Sequence, residues 1–274
     1  MNVTDLRQSR KAISTPASDK PKDYLPQAFI LLGFVSLIFA AVPEVDLMVS
    51  RFFWTPGSGF EWNNSNALIG FRDTNRFLPW IVIGMAAALL IPNPFLRHLK
   101  QPPAPHKLVF VLTFFAAGPG LAVHLIKMLV GRARPRILEE FGGHAFFTPP
   151  WELTNQCARN CSFISGESAS AFALLTLVVF VKPRYAGVYL VAIGVLAAAF
   201  SFTRVIHGAH FLSDVMIAWN VMLVLALVLW RIFSRNAPQI DAMFATRSSW
   251  SGSGRLSPGR ELITRSPSHA AARS

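Results

Sequence analysis

Six long apolar runs constrain the fold of this chain more than any other feature of its sequence. A helix of about 20 apolar residues is long enough to cross the hydrocarbon layer of a bilayer. The 52% hydrophobic content and the mean hydropathy of +0.40 agree with a membrane protein. The sequence therefore predicts an all-α, polytopic membrane protein with six transmembrane helices. The predicted spans are residues 26–42, 77–95, 107–127, 164–182, 185–203 and 211–230.

The two ends of the chain differ from this apolar centre. Residues 1–25 and 236–274 are rich in Ser, Pro, Ala and charged residues and contain few bulky apolar side chains. Such segments cannot bury enough apolar surface to offset the entropy lost on ordering. We expect two disordered tails around a single membrane domain formed by residues 26–235.

The distribution of basic residues predicts the orientation in the membrane. An even number of spans puts both termini on one side, and lysines and arginines are frequent before the first span and after the last. Loops rich in Lys and Arg stay in the cytoplasm, so both termini would be cytoplasmic and the opposite side would face away from the cytoplasm. The net charge of +12 is then explained by anionic lipid and an anionic substrate, and we expect no nucleic-acid partner.

An ionisable cluster interrupts the apolar pattern between the last two spans. If a helix opens at Phe211, His210 and Asp214 lie at positions i and i+4 on one face. The carboxylate can then accept a proton from one ring nitrogen, which leaves the other nitrogen unprotonated and nucleophilic. Arg204, across a turn that contains Gly208, has a planar group that suits phosphate oxygens. A helix-cap cluster with an interfacial arginine is the alternative interpretation.

Two further clusters fall at the same ends of the predicted spans. Lys127 and Arg134 are seven residues apart, nearly on one helix face if the helix continues to about Arg134, where Pro135 disfavours it. Simple snorkelling of these cations to the headgroups is the alternative. Ser165 and Gly166 precede an apolar run, so their N–H groups would lie at a helix N-terminus that can bind an anion. An ordinary serine cap explains that pair equally well.

The chain has two cysteines, Cys157 and Cys161, in the loop before the fourth span. In an oxidising periplasm we expect them to form a disulfide that stiffens this loop. Two sulfurs without a neighbouring pair of histidines are a poor metal site, so we expect no metal.

The three clusters together fit in-line phosphoryl transfer, in which positioning and charge neutralisation provide most of the acceleration. Their order and spacing closely resemble the three motifs of the type 2 phosphatidic acid phosphatase superfamily. The resemblance implies that His210 is a nucleophile forming a phosphohistidine, that Asp214 orients it, and that no metal or other cofactor is needed. It also implies a set of phosphate-binding residues, namely Lys127, Arg134, Ser165, Gly166 and Arg204.

Two positions depart from the pattern of that superfamily. Thr203 replaces the usual serine before the arginine and keeps its hydroxyl group. Glu167 stands where the superfamily has a histidine that protonates the leaving group. A carboxyl group beside an anionic phosphate is favoured in its protonated form, so Glu167 is the first candidate for the acid. His207, three residues from His210, is the second candidate.

The wider sequence is similar to a bacterial inner-membrane branch of the superfamily that includes the lipid A phosphatases. It carries the segments Gly118-Pro119-Gly120, Gly131-Arg132-Ala133-Arg134-Pro135, Phe141-Gly142-Gly143 and Cys161-Ser162-Phe163. We therefore expect a phosphatase that removes a phosphate monoester from lipid A or a related lipid at the periplasmic face. A phosphatidylglycerophosphate or polyprenyl-diphosphate phosphatase, a lipid phosphotransferase, and a non-enzymatic lipid-phosphate binding or transport protein are the alternatives.

Overall fold

The computed structural model describes residues 23–91 and 102–250, and in those residues it contains helices and no β-strand. The predicted all-α class is confirmed. Short 3₁₀ turns at Glu61–Asn64, Pro135–Ile137 and Glu139–Phe141 lie in the connections. The helices are α1 (Leu25–Ala41), α2 (Glu44–Phe52), α3 (Asn66–Leu90), α4 (Pro105–Phe115), α5 (Val123–Val130), α6 (Gly166–Ala173), α7 (Pro183–Ile206), α8 (Leu212–Arg235) and α9 (Ala237–Trp250).

Three helical segments in the described part of the chain are long and apolar enough to cross a membrane. They are Pro105–Ile137, Pro183–Ile206 and Leu212–Arg235, and α1 with α2 would make a fourth, although this pair is bent by 79°. Of the other two predicted spans, residues 77–90 lie in α3 and residues 166–180 are helical, while residues 92–95 lie outside the described residues; six spans therefore remain a prediction. However, α3 carries charged residues in its first half, and the helix Gly166–Phe180, made of α6 and a 3₁₀ extension, is short.

A π-helical segment, Ala116–Ala122, joins α4 to α5. It contains Gly118, Pro119 and Gly120, where the missing proline N–H and the small side chains disfavour regular α-helix. A Cβ atom at Gly118 would lie 2.8 Å from Sδ of Met222 on α8. The glycine therefore permits close approach of α8 at the point where the helix is irregular.

The short helix α6 lies at the centre of the bundle. It contacts α3, α7 and α8, and its alanines at positions 169, 171 and 173 have no exposed surface. Small side chains let neighbouring backbones approach closely. By contrast, α1 and α7 expose many large apolar side chains, for example Ile30 and Val188, as expected for surfaces that face lipid. The first turn of α6 is consequently held in a fixed position by its neighbours.

The structure describes only part of the two segments predicted to be disordered. Residues 1–22 and 251–274 lie outside the described residues. The prediction of disorder was wrong for the start of the C-terminal tail, because α9 begins directly after α8. Asp241 of α9 accepts hydrogen bonds from the backbone N–H and from Nδ1 of His106, both at 2.8 Å. This docking at the N-terminus of α4 supplies an ordering contact that composition alone does not indicate.

Candidate active site

The turn between α7 and α8 brings Arg204 and His210 together. The carbonyl oxygen of Arg204 accepts hydrogen bonds from the N–H groups of Ala209 at 3.0 Å and His210 at 3.2 Å. Gly208 has φ of +55°, in the left-handed region that favours glycine. A Cβ atom there would also lie 2.5 Å from ring atoms of Phe60. The glycine therefore allows a turn tight enough to place His210 beside the end of α7.

His210 is buried, and its Nδ1 faces Asp214. The distance from Nδ1 to Oδ2 of Asp214 is 3.6 Å, which is too long for a direct hydrogen bond but leaves the carboxylate close enough to act on the ring electrostatically. The hydroxyl of Ser162 lies 3.5 Å from Nδ1 and donates to Oδ2. Burial lowers the pKa of His210 to about 3, against the opposing effect of Asp214 and with the help of the Lys127 charge. The imidazole is therefore neutral at neutral pH, and with Nδ1 protonated, Nε2 carries a lone pair.

The carboxylate of Asp214 is fully buried, and each of its oxygens has its own donors. Oδ1 accepts a hydrogen bond from Nη1 of Arg132 at 2.7 Å. Oδ2 accepts from the Ser162 hydroxyl and from the N–H of Phe211 at 2.8 Å. The carboxylate is thereby fixed in the first turn of α8, where it can hold the His210 ring.

Arg132 and Asp46 form a buried ion pair behind Asp214 that the sequence reasoning missed. Nη2 of Arg132 donates to Oδ2 of Asp46 at 2.9 Å, and neither side chain is exposed. Local sequence does not distinguish Arg132 from Arg134, because the burial is created by the distant helix α2. A carboxylate close to an apolar run, as at Asp46, is the signal that could have indicated this pair.

Lys127 and Arg134 lie on different backbone elements, and the prediction of a common helix face was wrong. Helix α5 ends at Val130, and Gly131 takes φ of +65°. Arg134 is extended, with φ of −86° and ψ of 150°. A Cβ atom at Gly131 would lie 2.1 Å from the carbonyl oxygen of Thr154. The helix therefore ends at Val130, where the loop that contains Thr154 crosses it, and not at Pro135.

The loop between the two cysteines holds both cations. Nζ of Lys127 donates to the carbonyl oxygens of Cys161 and, at 3.2 Å, Ser162. Arg134 donates through Nε to the carbonyl oxygen of Asn160 at 2.9 Å and through Nη2 to its side-chain oxygen at 2.7 Å. Lys127 and Arg134 are therefore held near each other by oxygens of this loop and not by a shared helix face.

The structure contains the predicted disulfide between Cys157 and Cys161. The ring that it closes includes Asn160, so it restrains the group that holds Arg134. A cavity of about 450 Å³ lies between this ring and α5. It is lined by His124, Lys127, Met128, Ala158, Arg159, Asn160 and Cys161.

Arg204 is buried and faces Glu167 at the start of α6. Its Nε lies 2.9 Å from Oε2 of Glu167, but the angle is not that of a hydrogen bond. Nε and Nη1 of Arg204 therefore have no hydrogen-bond partner within the described ranges. Arg76 on α3 donates to the other oxygen, Oε1, through Nε at 2.9 Å and Nη2 at 2.6 Å. Buried donors without acceptors are costly, and those of Arg204 fit the oxygens of an entering anion.

Ser165 and Gly166 lie at the N-terminus of α6, as predicted. Ser165 is the N-cap, and its hydroxyl oxygen accepts from the N–H of Ser168 at 3.3 Å. Its own N–H donates to the carbonyl oxygen of Asp214 at 3.1 Å, so the expectation of a free donor at Ser165 was wrong. The N–H groups of Gly166 and Glu167 come next, at positions without an intrahelical acceptor.

His207 is buried, and its Nδ1 faces a backbone carbonyl, whereas Nδ1 of His210 faces a carboxylate. Its Nδ1 contacts the carbonyl oxygen of Thr203, which can only accept, so the proton lies on Nδ1. Nε2 is buried and has no partner in the part of the chain described. Burial lowers the pKa of His207 from its ordinary value. A neutral ring with its proton directed at the backbone is a poor donor to a leaving group.

The predicted residues converge on one site. The charges of Arg134, Arg204, Asp214 and Glu167 all lie close enough to act on that of Lys127. The site thus combines a neutral imidazole, several cations and a helix N-terminus. This combination can hold a phosphate group and attack its phosphorus atom.

Residues 107–238 match the PAP2 superfamily. A protein of Rhizobium etli with the name lipid A 4'-phosphatase is 34% identical over 219 residues, which are 72% of this chain and 84% of that protein. The chain belongs to the PAP2 superfamily. It is a membrane PAP2-type phosphatase and therefore a phosphoric monoester hydrolase, in agreement with the enzyme predicted and against a protein that merely binds or transports lipid phosphates.

Other relatives of this PAP2 phosphatase agree with that assignment. A lipid A 4'-phosphatase of Rhizobium leguminosarum is 32% identical over 68% of this chain and 86% of its own length. One of Francisella tularensis subsp. novicida is 26% identical over 76% of this chain and 96% of its own length. The crystal structure of a PAP2-type phosphatidylglycerolphosphate phosphatase from Bacillus subtilis matches with a TM-score of 0.54 at 18% identity. It covers 78% of this chain and 98% of that one, a likeness that concerns the fold alone.

Proposed function

We propose that this PAP2 phosphatase removes the 4'-phosphate of lipid A, or of a closely related anionic lipid, at the periplasmic face of a bacterial inner membrane. The observation that carries the phosphate-binding part is the buried guanidinium of Arg204. Its Nη1 has no hydrogen-bond acceptor in the described residues, and its Nε faces Oε2 of Glu167 only as an ion pair. The similarity to relatives named lipid A 4'-phosphatase supports the choice of lipid.

The first chemical step is attack of Nε2 of His210 on phosphorus. The N–P bond forms as the bond to the lipid oxygen breaks. Glu167 takes up a proton from the bound phosphate monoanion and gives it to that leaving oxygen. Lys127, Arg134 and Arg204, with the N–H of Gly166, neutralise the charge on the phosphoryl oxygens. Asp214 stays ionised and balances the positive ring of the phosphohistidine.

The second step is hydrolysis of the phosphohistidine. A water molecule gives a proton to the Glu167 carboxylate, its oxygen attacks phosphorus, and the N–P bond breaks to return neutral His210 and inorganic phosphate. Metal independence is part of the proposal, since the charge is neutralised by side chains. A phosphotransferase would share the first step and differ in the acceptor.

The proposed topology has six spans, formed by α1, α3, the α4–α5 unit, the α6 helix with its 3₁₀ extension, α7 and α8. Lys127, Ser165, Arg204 and His210 then all lie at periplasmic ends, and both termini lie in the cytoplasm. The disulfide supports an oxidising compartment on the side of the active site. Phosphate release from lipid added to intact spheroplasts tests the orientation, and turnover confined to inverted vesicles would contradict it.

The nucleophile is tested with purified protein and lipid A. We expect phosphate release that vanadate inhibits, a trapped acid-labile phosphoenzyme, and loss of both in His210→Ala. His144→Ala, which removes an exposed histidine of a loop, is the matched control and should retain full activity. Turnover by His210→Ala would refute the assignment.

The substrate is tested with a panel of lipid phosphates analysed by mass spectrometry. The panel contains the two monophosphates of lipid A, phosphatidylglycerophosphate and a polyprenyl diphosphate. We expect the highest kcat/KM for lipid A that carries the 4'-phosphate. A higher value for phosphatidylglycerophosphate or the polyprenyl diphosphate would replace lipid A as the substrate.

A further inference from the structure

A chain of three buried charges, Asp46, Arg132 and Asp214, lies directly behind His210. None of the three side chains is exposed. We propose that Asp46 and Arg132 are positioning residues that set the orientation and the charge of the Asp214–His210 pair. The inference rests on the proposed roles of His210 and Asp214.

The guanidinium of Arg132 fixes the geometry because every one of its nitrogens is engaged. Nη1 donates to Asp214 at 2.7 Å, Nη2 to Asp46 at 2.9 Å, and Nε to the carbonyl oxygen of Thr148 at 2.7 Å. Its Cζ lies 4.1 Å from the ring centroid of Phe211. A planar group held on four sides has one orientation, so the carboxylate of Asp214 has one as well.

Asp46 is tied to the first turn of α8 by a second route. Its Oδ1 accepts from the N–H of Ser213 at 2.9 Å, and its Oδ2 accepts from the Ser213 hydroxyl. That hydroxyl oxygen also accepts from Nη1 of Arg132 at 2.8 Å. Helix α2 therefore holds both the side-chain partner and the adjacent backbone of Asp214.

The charges of the chain suit the proposed intermediate. Burial raises the pKa of Asp46, and the charge of Arg132 opposes that shift. With both carboxylates ionised, Asp46, Arg132 and Asp214 sum to one negative charge. The ring of His210 becomes positive when Nε2 carries the phosphoryl group and Nδ1 keeps its proton. In a buried site opposite charges act strongly on each other, so the chain stabilises the phosphohistidine. A neutral residue at position 46 would cancel that net charge.

The contrast with Arg204 separates this role from phosphate binding. Nε and Nη1 of Arg204 have no hydrogen-bond partner in the described structure, whereas the three nitrogens of Arg132 are all engaged within the protein. A change at Asp46 should consequently slow formation of the phosphoenzyme and leave the binding of phosphate unchanged.

The test compares Asp46→Asn with Ser50→Ala in the full-length protein. Ser50 is buried on the same helix, and its hydroxyl donates to the carbonyl oxygen of Asp46 at 2.8 Å, away from Arg132. Three quantities are measured: the single-turnover rate of phosphohistidine formation, KM, and the inhibition constant of inorganic phosphate. For Asp46→Asn we expect a rate about 10-fold lower, with the two binding quantities within about 2-fold of wild type. Ser50→Ala should match wild type.

Two results would overturn the inference. One is a phosphorylation rate in Asp46→Asn equal to that of Ser50→Ala, and the other is a proportionate rise in KM and the phosphate inhibition constant at an unchanged rate. If Asp46→Asn does not fold, Arg132→Lys is tested in its place, because lysine keeps the charge but cannot bridge both carboxylates. An unchanged phosphorylation rate in Arg132→Lys would also overturn the inference. Absence of a phosphoenzyme in wild type would instead refute the proposed function.

Discussion

Oε2 of Glu167 lies 2.9 Å from Nε of Arg204, so the carboxylate lies directly against the guanidinium that we propose to bind phosphate. Glu167 is also held from the other side by Arg76. A phosphate bound at Arg204 would therefore touch the residue that we propose as the acid. This relationship makes Glu167 the most informative position for testing the chemistry of the site.

Replacing Glu167 by glutamine should expose its role through the leaving group. A lipid alkoxide needs a proton, whereas the leaving group of an aryl phosphate such as p-nitrophenyl phosphate does not. We expect kcat of Glu167→Gln to fall roughly 100-fold with the lipid and far less with the aryl phosphate. Glu167→His should restore turnover of the lipid. Equal losses with both substrates would show that Glu167 positions Arg204 and does not transfer a proton.

The pKa of His210, lowered to about 3 by burial, predicts an absence of titration near neutral pH. We expect the ring signal, followed by NMR of ¹³C-labelled histidine and assigned with His210→Gln, to stay constant from about pH 5 to 8. In the unfolded state His210 has the ordinary histidine pKa of 6.5, so it takes up a proton below that pH. Stability should therefore fall as the pH drops from 6.5 toward 3. A midpoint close to 6.5 in the folded protein would contradict the burial argument.

Gly208→Ala should destabilise the protein and disturb the site together. The substitution places a side chain at φ of +55° and 2.5 Å from the ring of Phe60, for which we expect a cost of about 1–3 kcal/mol. Gly142→Ala is the control, because it has a similar φ of +85° with nothing within 4 Å. Thermal unfolding and kcat are measured for both. Equal effects would mean that the contact with Phe60 is unimportant.

Removing the disulfide should weaken phosphate binding more than catalysis. The ring that Cys157 and Cys161 close holds Lys127 and Arg134 through backbone and side-chain oxygens. We expect KM to rise roughly 10-fold, the equivalent of about 1.4 kcal/mol, when both cysteines are replaced by serine. Reducing agent should do the same to wild type and leave the variant unchanged. A fall in kcat at constant KM would contradict this account.

Sequence reasoning reached the helical class and the convergence of His210, Asp214 and Arg204, because these depend on apolar length and on i, i+4 spacing within one segment. It did not reach the end of α5 at Val130, which is determined by the Thr154 carbonyl crossing Gly131. Contacts between distant segments leave no local pattern. The order of α9 was missed for the same reason, since Asp241 docks onto His106 from 135 residues away.

One of the two carboxylates that pair with Arg132 belongs to Asp46, which lies outside the family match over residues 107–238. A polypeptide of residues 107–238 alone would carry every motif residue. It would lack Asp46, so Arg132 would keep only one of its two carboxylate partners, Asp214. We therefore expect residues 107–238, expressed alone, to fold poorly or to turn over substrate slowly. We therefore expect that the smallest part of this enzyme able to fold and work alone includes α2.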